Sequence, residues 1–337
     1  MIKTILVLAS TFFVIHATNY CLRETELNDD QFFDEVHGYF NGRKPQRTVA
    51  IECPDPKDNS TCLYIVDRMG YFKDGSWFVA RFLTPVPSLT KGFLSMSKLA
   101  KPIFKTKRTA DTAIWPVDVG TMDVLTPNAV EFATLFTSGH FPINHNFTAN
   151  FTFLGVATGG LMSFLNEHFK NIKITGIDID PQSEYLAKKW FGYHDRDNSK
   201  ILIGDGAEFI IKMAERGETS NAVLIDACHN IEPADGIFCP VEAARTPQFL
   251  DSLSKVIGSK GMTTFNVYNH HAIPDSYKRV LSDFSKHFVE CKLIENYIGN
   301  VFITCFNEKE RNYEVDTEKT REFLTKTRVV SFMRNLM

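Results

Sequence analysis

The chain lacks a strong excess of either charge. Its 337 residues carry a net charge of −3 at neutral pH, and 23% of them are charged. Nucleic-acid-binding domains usually show a marked basic excess, so we expect no nucleic-acid partner. The hydrophobic fraction of 44% is too high for a largely disordered chain. These values predict a folded protein with a substantial core.

The sequence also lacks internal repeats, low-complexity tracts and long apolar runs beyond its first residues. There, Lys3 precedes an apolar run from Ile5 to Val14, and the small Ala17 follows. This order is typical of a secretory signal peptide, so residues 1–17 are predicted to be removed. An uncut anchor is the alternative, although about 12 apolar residues are short for a membrane span. We expect a secreted protein, with the ER lumen as an alternative location and no membrane contact after cleavage.

The seven cysteines all follow the predicted cleavage point. Six of them can be matched in pairs that are close in sequence, which leaves Cys21 over: Cys53 with Cys62, Cys228 with Cys239, and Cys291 with Cys305. Cys291 and Cys305 flank two strand-like runs, and a turn near Ile298 would place them opposite each other. Cross-strand Cα separations of about 4.5–5.5 Å suit a disulfide. Reduced core cysteines are the alternative.

Three sequons begin at Asn59, Asn146 and Asn150. Matches at about this frequency are expected by chance, so the sequons are compatible with a glycoprotein without establishing one. Asn59 is the best candidate because it lies in a polar loop between Cys53 and Cys62.

The pattern of the chain changes near residue 150. Residues 18–141 are predicted to form a β-rich N-terminal region, with a helix over about 128–136. Over residues 150–306 strands and helices alternate, and a hairpin of 291–306 closes the series. Such alternation predicts an α/β fold with a parallel sheet covered on both faces. Residues 307–337 are predicted to be a charged C-terminal tail that includes a short helix.

Ligand-binding residues are expected after the first strands of this sheet, because ligands bind at the carboxyl ends of parallel strands. The run Gly155-Val-Ala-Thr-Gly159-Gly160 joins a strand to a helix, where glycines let the backbone approach a ligand. Asp178 ends the second strand at the spacing of about 20 residues that suits ribose binding. Asp205 follows the third strand, and Asp226 the fourth. Helix capping and turn formation are the structural alternatives.

At these positions the sequence resembles the S-adenosylmethionine domain shared by spermidine synthases and the methyltransferase-like 13 proteins, which modify translation elongation factor 1-alpha. The latter resemblance rests on four segments: Leu161-Met-Ser-Phe-Leu-Asn-Glu-His-Phe, Ile177-Asp-Ile-Asp-Pro, Lys189-Trp-Phe-Gly192, and Gly236-Ile-Phe-Cys-Pro240 followed by Gln248-Phe-Leu. It covers about residues 150–306 and implies a Rossmann-like class I methyltransferase sheet with S-adenosylmethionine as cofactor. No family resembles the N-terminal region convincingly.

The resemblance also implies roles for individual residues. The methionine end of the cofactor would be lined by Gly155, Ala157 and Gly159. Ribose would be bound by Asp178, and adenine would be contacted by Asp205 and Gly206.

Two departures from the family patterns bear on activity. The family usually has glycine at the positions of Ala157 and Thr158, and a methyl group at Ala157 crowds the approach of the backbone to a ligand. Spermidine synthases carry Asp-Ser-Ser-Asp after the fourth strand, where this chain has Asp226-Ala-Cys-His229. His229 can accept a proton near neutral pH, but it offers no fixed anion to a cationic amine. Aminopropyl transfer is therefore disfavoured.

The leading hypothesis is a methyltransferase-like protein whose acceptor is an unidentified protein or small-molecule amine. Methyl transfer from a sulfonium depends mainly on alignment, so it requires no strong base. Asp226 and His229 are the predicted catalytic residues; His270 and His271 follow the fifth strand but fit a solvated loop better. An inactive exported binding module is the alternative, and an aminopropyltransferase is less favoured. No metal site is predicted, and a homodimer remains open.

Overall fold

The computed structural model describes most of the chain after residue 24. The described residues are 25–40, 45–55, 57, 61–89, 93–124, 126–229, 233–269, 276–295, 300–309 and 312–331. The predicted signal peptide, Cys21, Asn59 and the histidine pair at 270 and 271 lie outside these residues. No helix within the described ranges is long and apolar enough to cross a membrane.

The N-terminal region is β-rich, as predicted, and forms a four-stranded antiparallel sheet. Its strands pair in chain order: β1 (Gln46–Glu52), β2 (Leu63–Tyr71), β3 (Trp77–Thr84) and β4 (Ser95–Lys98). Helix α1 (Asp29–His37) begins at a capping box in which Asn28 and Gln31 exchange hydrogen bonds. The helix packs through Phe32, whose ring stacks on Trp115 at 6.1 Å. This part of the molecule therefore has its own small aromatic core.

Two short elements lead to the second sheet. These are strand β5 (Met122–Asp123) and helix α2 (Pro127–Thr137). The Thr126 hydroxyl accepts a hydrogen bond from the backbone N–H of Ala129, and proline occupies the first turn, where its missing N–H costs nothing. The helix predicted over 128–136 is thus confirmed.

The second sheet is mainly parallel and is covered by helices. Its strands are β6 (Ala149–Leu154), β7 (Ile172–Asp178), β8 (Ser199–Ile203), β9 (Ala222–Ile225), β10 (Ile237–Cys239), β11 (Met262–Asn269), β12 (Glu290–Glu295) and β13 (Val301–Phe306). Its helices are α3 (Gly160–His168), α4 (Pro181–Trp190), α5 (Gly206–Glu215), α6 (Pro247–Ile257) and α7 (Ser276–Phe284). The order is β12-β13-β11-β9-β6-β7-β8, and β10 pairs with β11. Strands β12 and β13 form the predicted antiparallel hairpin, so the predicted Rossmann-like fold is confirmed.

Apolar side chains fill both faces of this sheet. All four residues of β9 are buried, as expected for a strand covered on both sides. On one face Phe132 of α2 packs against Phe136 and Phe164, with ring centroids 5.1 Å apart in each pair. Such aromatic pairs contribute about 0.5–1.5 kcal/mol each beyond their buried area. The second pair holds α2 against α3, and both helices share one core with strand residues such as Phe151, which matters for the site below.

The C-terminal segment is part of the folded body. Helix α8 (Thr317–Lys326) begins at Asp316, and strand β14 (Val329–Val330) pairs in parallel with β5. Phe323 of α8 is buried, and its ring centroid lies 4.8 Å from that of Phe136. The sequence indicated the helix but not its docking.

All three predicted cysteine pairs are disulfides: Cys53–Cys62, Cys228–Cys239 and Cys291–Cys305. Cys291 lies directly opposite Cys305 in the β12–β13 ladder, with a Cα separation of 4.1 Å. The turn predicted near Ile298 lies outside the described residues.

An acidic residue of the N-terminal sheet contributes to its docking on helix α4, beside apolar packing of Ile65 and Leu83 against Leu186. The Glu52 carboxylate accepts a hydrogen bond from Trp190 Nε1 at 2.6 Å and pairs with Lys189 Nζ at 2.8 Å. Burial tends to raise the pKa of Glu52, but these two partners outweigh it and lower the pKa. Part of the segment Lys189-Trp-Phe-Gly192 therefore joins the two sheets.

Candidate functional site

The strand order reverses between β6 and β9. From β6 the chain adds β7 and β8 on one side, while β9 and β11 lie on the other. Ligands of open α/β sheets bind in the crevice at such a switch point. Gly155 follows β6 with φ +83°, and a Cβ atom there would lie 2.6 Å from the carbonyl carbon of Asp226 and 2.8 Å from the nitrogen of Ala227. Only glycine fits here, so the loops after β6 and β9 form one wall.

The glycine turn continues with a strained residue and a buried one. Ala157 is exposed and has φ +48°, a left-handed conformation that costs an alanine about 1–2 kcal/mol. Thr158 is buried, and its hydroxyl lies 2.5 Å from that of Ser95 in β4. The two departures from the family pattern thus differ in kind. Thr158 connects the turn to the N-terminal sheet, whereas Ala157 faces solvent.

Asp178 holds the glycine turn in place. Its Oδ2 accepts hydrogen bonds from the backbone N–H groups of Val156 at 2.8 Å and Ala157 at 3.1 Å. Its Oδ1 accepts from the N–H of Asp180 at 3.0 Å. A carboxylate offers about four acceptor positions, so about one remains for a ribose hydroxyl. The ribose contact of Asp178 stays a prediction. Its side chain also stabilises the glycine turn through these hydrogen bonds.

The predicted adenine side is flanked by exposed apolar side chains. The Asp205 carboxylate caps α5 by accepting from the N–H groups of Ala207 and Glu208. On the neighbouring strand ends, Ile179 is 75% exposed and Ile203 is 43% exposed. Exposed isoleucines at these strand ends offer apolar surface to a flat ring. Sequence reasoning missed them, although Ile179 directly follows Asp178.

Gly204 and Gly206 complete this side of the site. A Cβ atom at Gly204 would meet nothing within 4 Å, so this stretch of backbone is open. A Cβ atom at Gly206 would lie 3.1 Å from Leu154 Cδ2, so Gly206 serves packing between α5 and β6. The backbone at Gly204 and the two exposed isoleucines therefore leave this end of the sheet open.

Asp226 belongs to a polar chain that crosses the other side of the crevice. Asn266 of β11 donates to Asp226 Oδ1 at 2.6 Å, and Asn300 donates to Asn266 Oδ1 at 2.8 Å. Burial raises the pKa of Asp226 to about 6, against the lowering effect of the Asn266 hydrogen bond. Asp226 nevertheless keeps some solvent exposure. A partly exposed carboxyl group with this pKa can exchange a proton near neutral pH.

Glu131 of α2 was not predicted from the sequence. It is 2% exposed, and burial together with the charge of Asp226 raises its pKa well above the ordinary value. The available signal was an acidic residue inside the otherwise apolar run Val130-Glu-Phe-Ala-Thr-Leu-Phe.

His229 lies in the loop that the Cys228–Cys239 disulfide ties to β10. Its backbone N–H donates to the carbonyl of Phe238 at 2.8 Å. Its ring Nε2 is buried and has no hydrogen-bond partner among the described residues. Cys228 Sγ lies 3.4 Å from Asp226 Oδ1. Both sulfur atoms of this pair are used in the disulfide, so they cannot bind a metal ion as thiolates.

The sheet order and the glycine turn define the class: this is a Rossmann-like methyltransferase fold. No family model matches the sequence. The eEF1A lysine and N-terminal methyltransferase of Bos taurus is 29% identical over 115 residues, which are 34% of this chain and 16% of that protein. A polyamine aminopropyltransferase of Vibrio vulnificus is 23% identical over 135 residues, which are 39% of this chain and 43% of that protein. The chain thus matches only a small part of the methyltransferase's length.

Solved structures confirm the predicted resemblance in fold. Human methyltransferase-like protein 13 in complex with SAH has a TM-score of 0.51 and 21% identity, covering 59% of this chain and 90% of that chain. A spermidine synthase in complex with the transition state analogue AdoDATO has a TM-score of 0.54 and 13% identity, covering 86% of this chain and 83% of that chain. The match to the spermidine synthase covers 86% of this chain, which is more than residues 150–306 can supply. It therefore includes N-terminal regions for which the sequence alone showed no resemblance.

Proposed function

We propose that this chain binds S-adenosylmethionine at the switch point and transfers its methyl group to an amine. The observation that carries the proposal is the position of Asp226, a proton-exchanging carboxyl group, against the glycine turn at Gly155. The sequence relatives are named for action on protein lysine or on polyamines. These names support an amine as acceptor.

The cofactor would lie across the carboxyl edge of the sheet. Its adenine would contact Ile179 and Ile203, its ribose the remaining acceptor position of Asp178, and its methionine part the turn from Gly155 to Gly159. When bound, it supplies a methyl group already activated on a positively charged sulfur. The contribution of the protein is alignment and exclusion of water.

Asp226 would prepare the acceptor. An alkyl amine is an ammonium ion at neutral pH and has no lone pair, so it must lose a proton before it reacts. The ionised Asp226 would accept that proton. The nitrogen lone pair then forms the N–C bond as the C–S bond breaks, and the bonding electrons stay on sulfur. Asn266 would hold the carboxylate in position through its 2.6 Å hydrogen bond.

A labelling experiment tests this proposal. Purified protein is incubated with methyl-tritiated cofactor and, separately, with a lysine-rich peptide, putrescine or spermidine. Label should enter at least one amine, and Asp226→Asn should reduce the rate at least about tenfold. Labelling of none of them by folded protein would contradict amine methylation.

Two observations favour other functions on the same fold. The long structural likeness to spermidine synthases favours aminopropyl transfer, which predicts spermidine formation from putrescine and the decarboxylated cofactor. The strained Ala157 and the backbone bonds that occupy Asp178 favour an inactive binding module, which predicts no turnover with any amine.

We also propose that the protein is exported, to the cell exterior or the ER lumen. Three disulfides and the charged, apolar and small residues up to Ala17 support export, because disulfides persist in oxidising compartments. Expression with a C-terminal tag and mass spectrometry of the secreted fraction would test it. The expected N terminus begins at Thr18, and retention of the full-length reduced protein in cytosol would contradict export.

A further inference from the structure

Helix α2 crosses the polar face of β11, which turns Glu131 toward the region of Asp226. The hydroxyl of Thr134, one helical turn after Glu131, lies 3.2 Å from that of Thr264 in β11. Residues one turn apart share a helix face, and alternate residues share a strand face. Glu131 therefore faces the region of Asn266, two residues further along β11. There Asn266 binds Asp226.

The two carboxyl groups differ in how well they are satisfied. Asp226 has Asn266 as a partner, and Asn266 in turn is held by Asn300. Glu131 is 2% exposed, and its Oε1 has no hydrogen-bond partner in the described part of the chain. Burying an ionised carboxylate without a partner costs several kcal/mol of folding free energy. Such a group therefore stays protonated or ionises only when a cation binds next to it.

The groups packed around Glu131 are mostly uncharged, and Asp226 is its charged neighbour. Among the described residues, Asp226 is the charged group that acts on Glu131. The strands beneath the helix present hydroxyls at this place, with Thr264 3.2 Å from Thr304 of β13. Asp123 of β5 lies near the first turn, where its carbonyl accepts from Thr126 Oγ1. A like-charged pair in such a setting cannot ionise fully without a counter-ion.

We propose that Glu131 and Asp226 form a carboxylate pair that shares a proton in the free protein and binds the ammonium group of an acceptor, and that the shared proton leaves as the amine binds. This inference rests on the proposed function, because it concerns the acceptor side of the same crevice. Asp226, which keeps some exposure, contacts the amine. Glu131 lies behind it and is a positioning residue.

The pair selects for charge. A cationic amine can take the place of the shared proton beside the two carboxylates, whereas a neutral hydroxyl group cannot, so the pair then keeps its proton and the alcohol gains less. An alkyl amine with a lysine-like or polyamine-like chain is therefore the class of acceptor that this crevice favours over alcohols.

Calorimetric titration with n-butylamine, without cofactor, tests the pair. The full chain is titrated at pH 7 in two buffers that differ in ionisation enthalpy, which gives the number of protons released per amine bound. We expect about one proton for the wild type and close to none for Glu131→Gln, because only the shared proton can leave. Glu215→Gln, a change at an exposed residue of α5, should behave like the wild type.

Asp226→Asn serves as the second variant and should lose most of the butylamine affinity. Equal proton release by the wild type and Glu131→Gln, or no butylamine binding by the wild type, would overturn the proposal. Because no cofactor is present, failure to bind S-adenosylmethionine would count against the proposed function alone. n-Butanol, which carries no charge, should bind at least about tenfold more weakly.

Discussion

The two sides of the crevice are built by different means. On the proposed cofactor side, the carboxylates of Asp178 and Asp205 accept hydrogen bonds from backbone N–H groups of the adjacent turns. On the proposed acceptor side, Glu131 is buried, Asp226 keeps some solvent exposure, and both have raised pKa values. The hydrogen bonds of this first side stay within neighbouring loops. Asp178 binds the turn after the adjacent strand β6, and Asp205 binds the first turn of its own helix α5. The second side exists only because a distant helix packs on the sheet.

The largest effect is expected at the joint between the two sides. Gly155→Ala places a Cβ atom against the backbone of Asp226 and Ala227 and keeps a left-handed φ. We expect a loss of about 4 kcal/mol in the free energy of unfolding, measured by urea denaturation. Gly204→Ala is the control, because its Cβ atom meets nothing within 4 Å; it should change stability by less than about 1 kcal/mol. Equal losses in both variants would show that the joint is not tight.

Removing the disulfide beside Asp226, and separately one far from it, distinguishes an effect on stability from an effect on amine binding. Replacing Cys228 and Cys239 by serine opens a loop with a sequence separation of 11, which should cost about 3 kcal/mol. Replacing Cys291 and Cys305, with a separation of 14, should cost about the same. Only the first change should also weaken butylamine binding, because only Cys228 lies next to Asp226. Equal weakening by both would contradict a local effect.

The carboxyl groups of the acceptor side make stability fall with rising pH. The folded pKa of Asp226 is raised from 3.8 to about 6, so the folded state holds this proton more tightly than the unfolded chain. The stabilisation is complete below about pH 4 and is lost as the pH rises through about 6. The pKa of Glu131 is also raised, so Glu131 acts in the same direction.

Relative to Asp226→Asn, the wild type should therefore lose about 2 kcal/mol of unfolding free energy between pH 4 and pH 8. The full shift would give about 3 kcal/mol, and partial exposure of Asp226 reduces it. Urea denaturation at several pH values measures the difference. A difference of the opposite sign would mean that Asp226 is stabilised as an anion.

The smallest effect is expected on the cofactor side at Ala157. Ala157→Gly removes the strain of φ +48° and should raise the unfolding free energy by up to about 1 kcal/mol. It should also tighten cofactor binding if the methyl group crowds the ligand. Differential scanning fluorimetry with and without cofactor separates the two effects, and a loss of stability would show that the alanine is well accommodated.

The sequence was informative wherever structure is local. The glycine turn, the strands ending at Asp178 and Asp226, the cap at Thr126 and the pairing of Cys291 with Cys305 were all predicted from neighbouring residues. Strand β4 was not, because Ser95-Met-Ser-Lys98 shows no clear alternation of apolar and polar residues.

Features that depend on tertiary contacts could not be predicted in this way. The charge of Asp226 acts on Glu131 although they are 95 positions apart in sequence, because a helix that carries no motif packs over the sheet. The docking of Glu52 on α4 and the pairing of β14 with β5 are of the same kind. Such contacts join segments whose own patterns are unremarkable, so only the folded arrangement reveals them.

Isothermal titration of the folded protein with S-adenosylmethionine tests the central claim most directly. The claim predicts binding with a dissociation constant between about 1 µM and 1 mM, the range of ordinary enzyme substrates. Asp178→Ala, which removes the proposed ribose acceptor and the support of the glycine turn, should weaken it at least about tenfold. Absence of heat with millimolar cofactor, from a protein that still unfolds cooperatively, would contradict a cofactor site at this switch point.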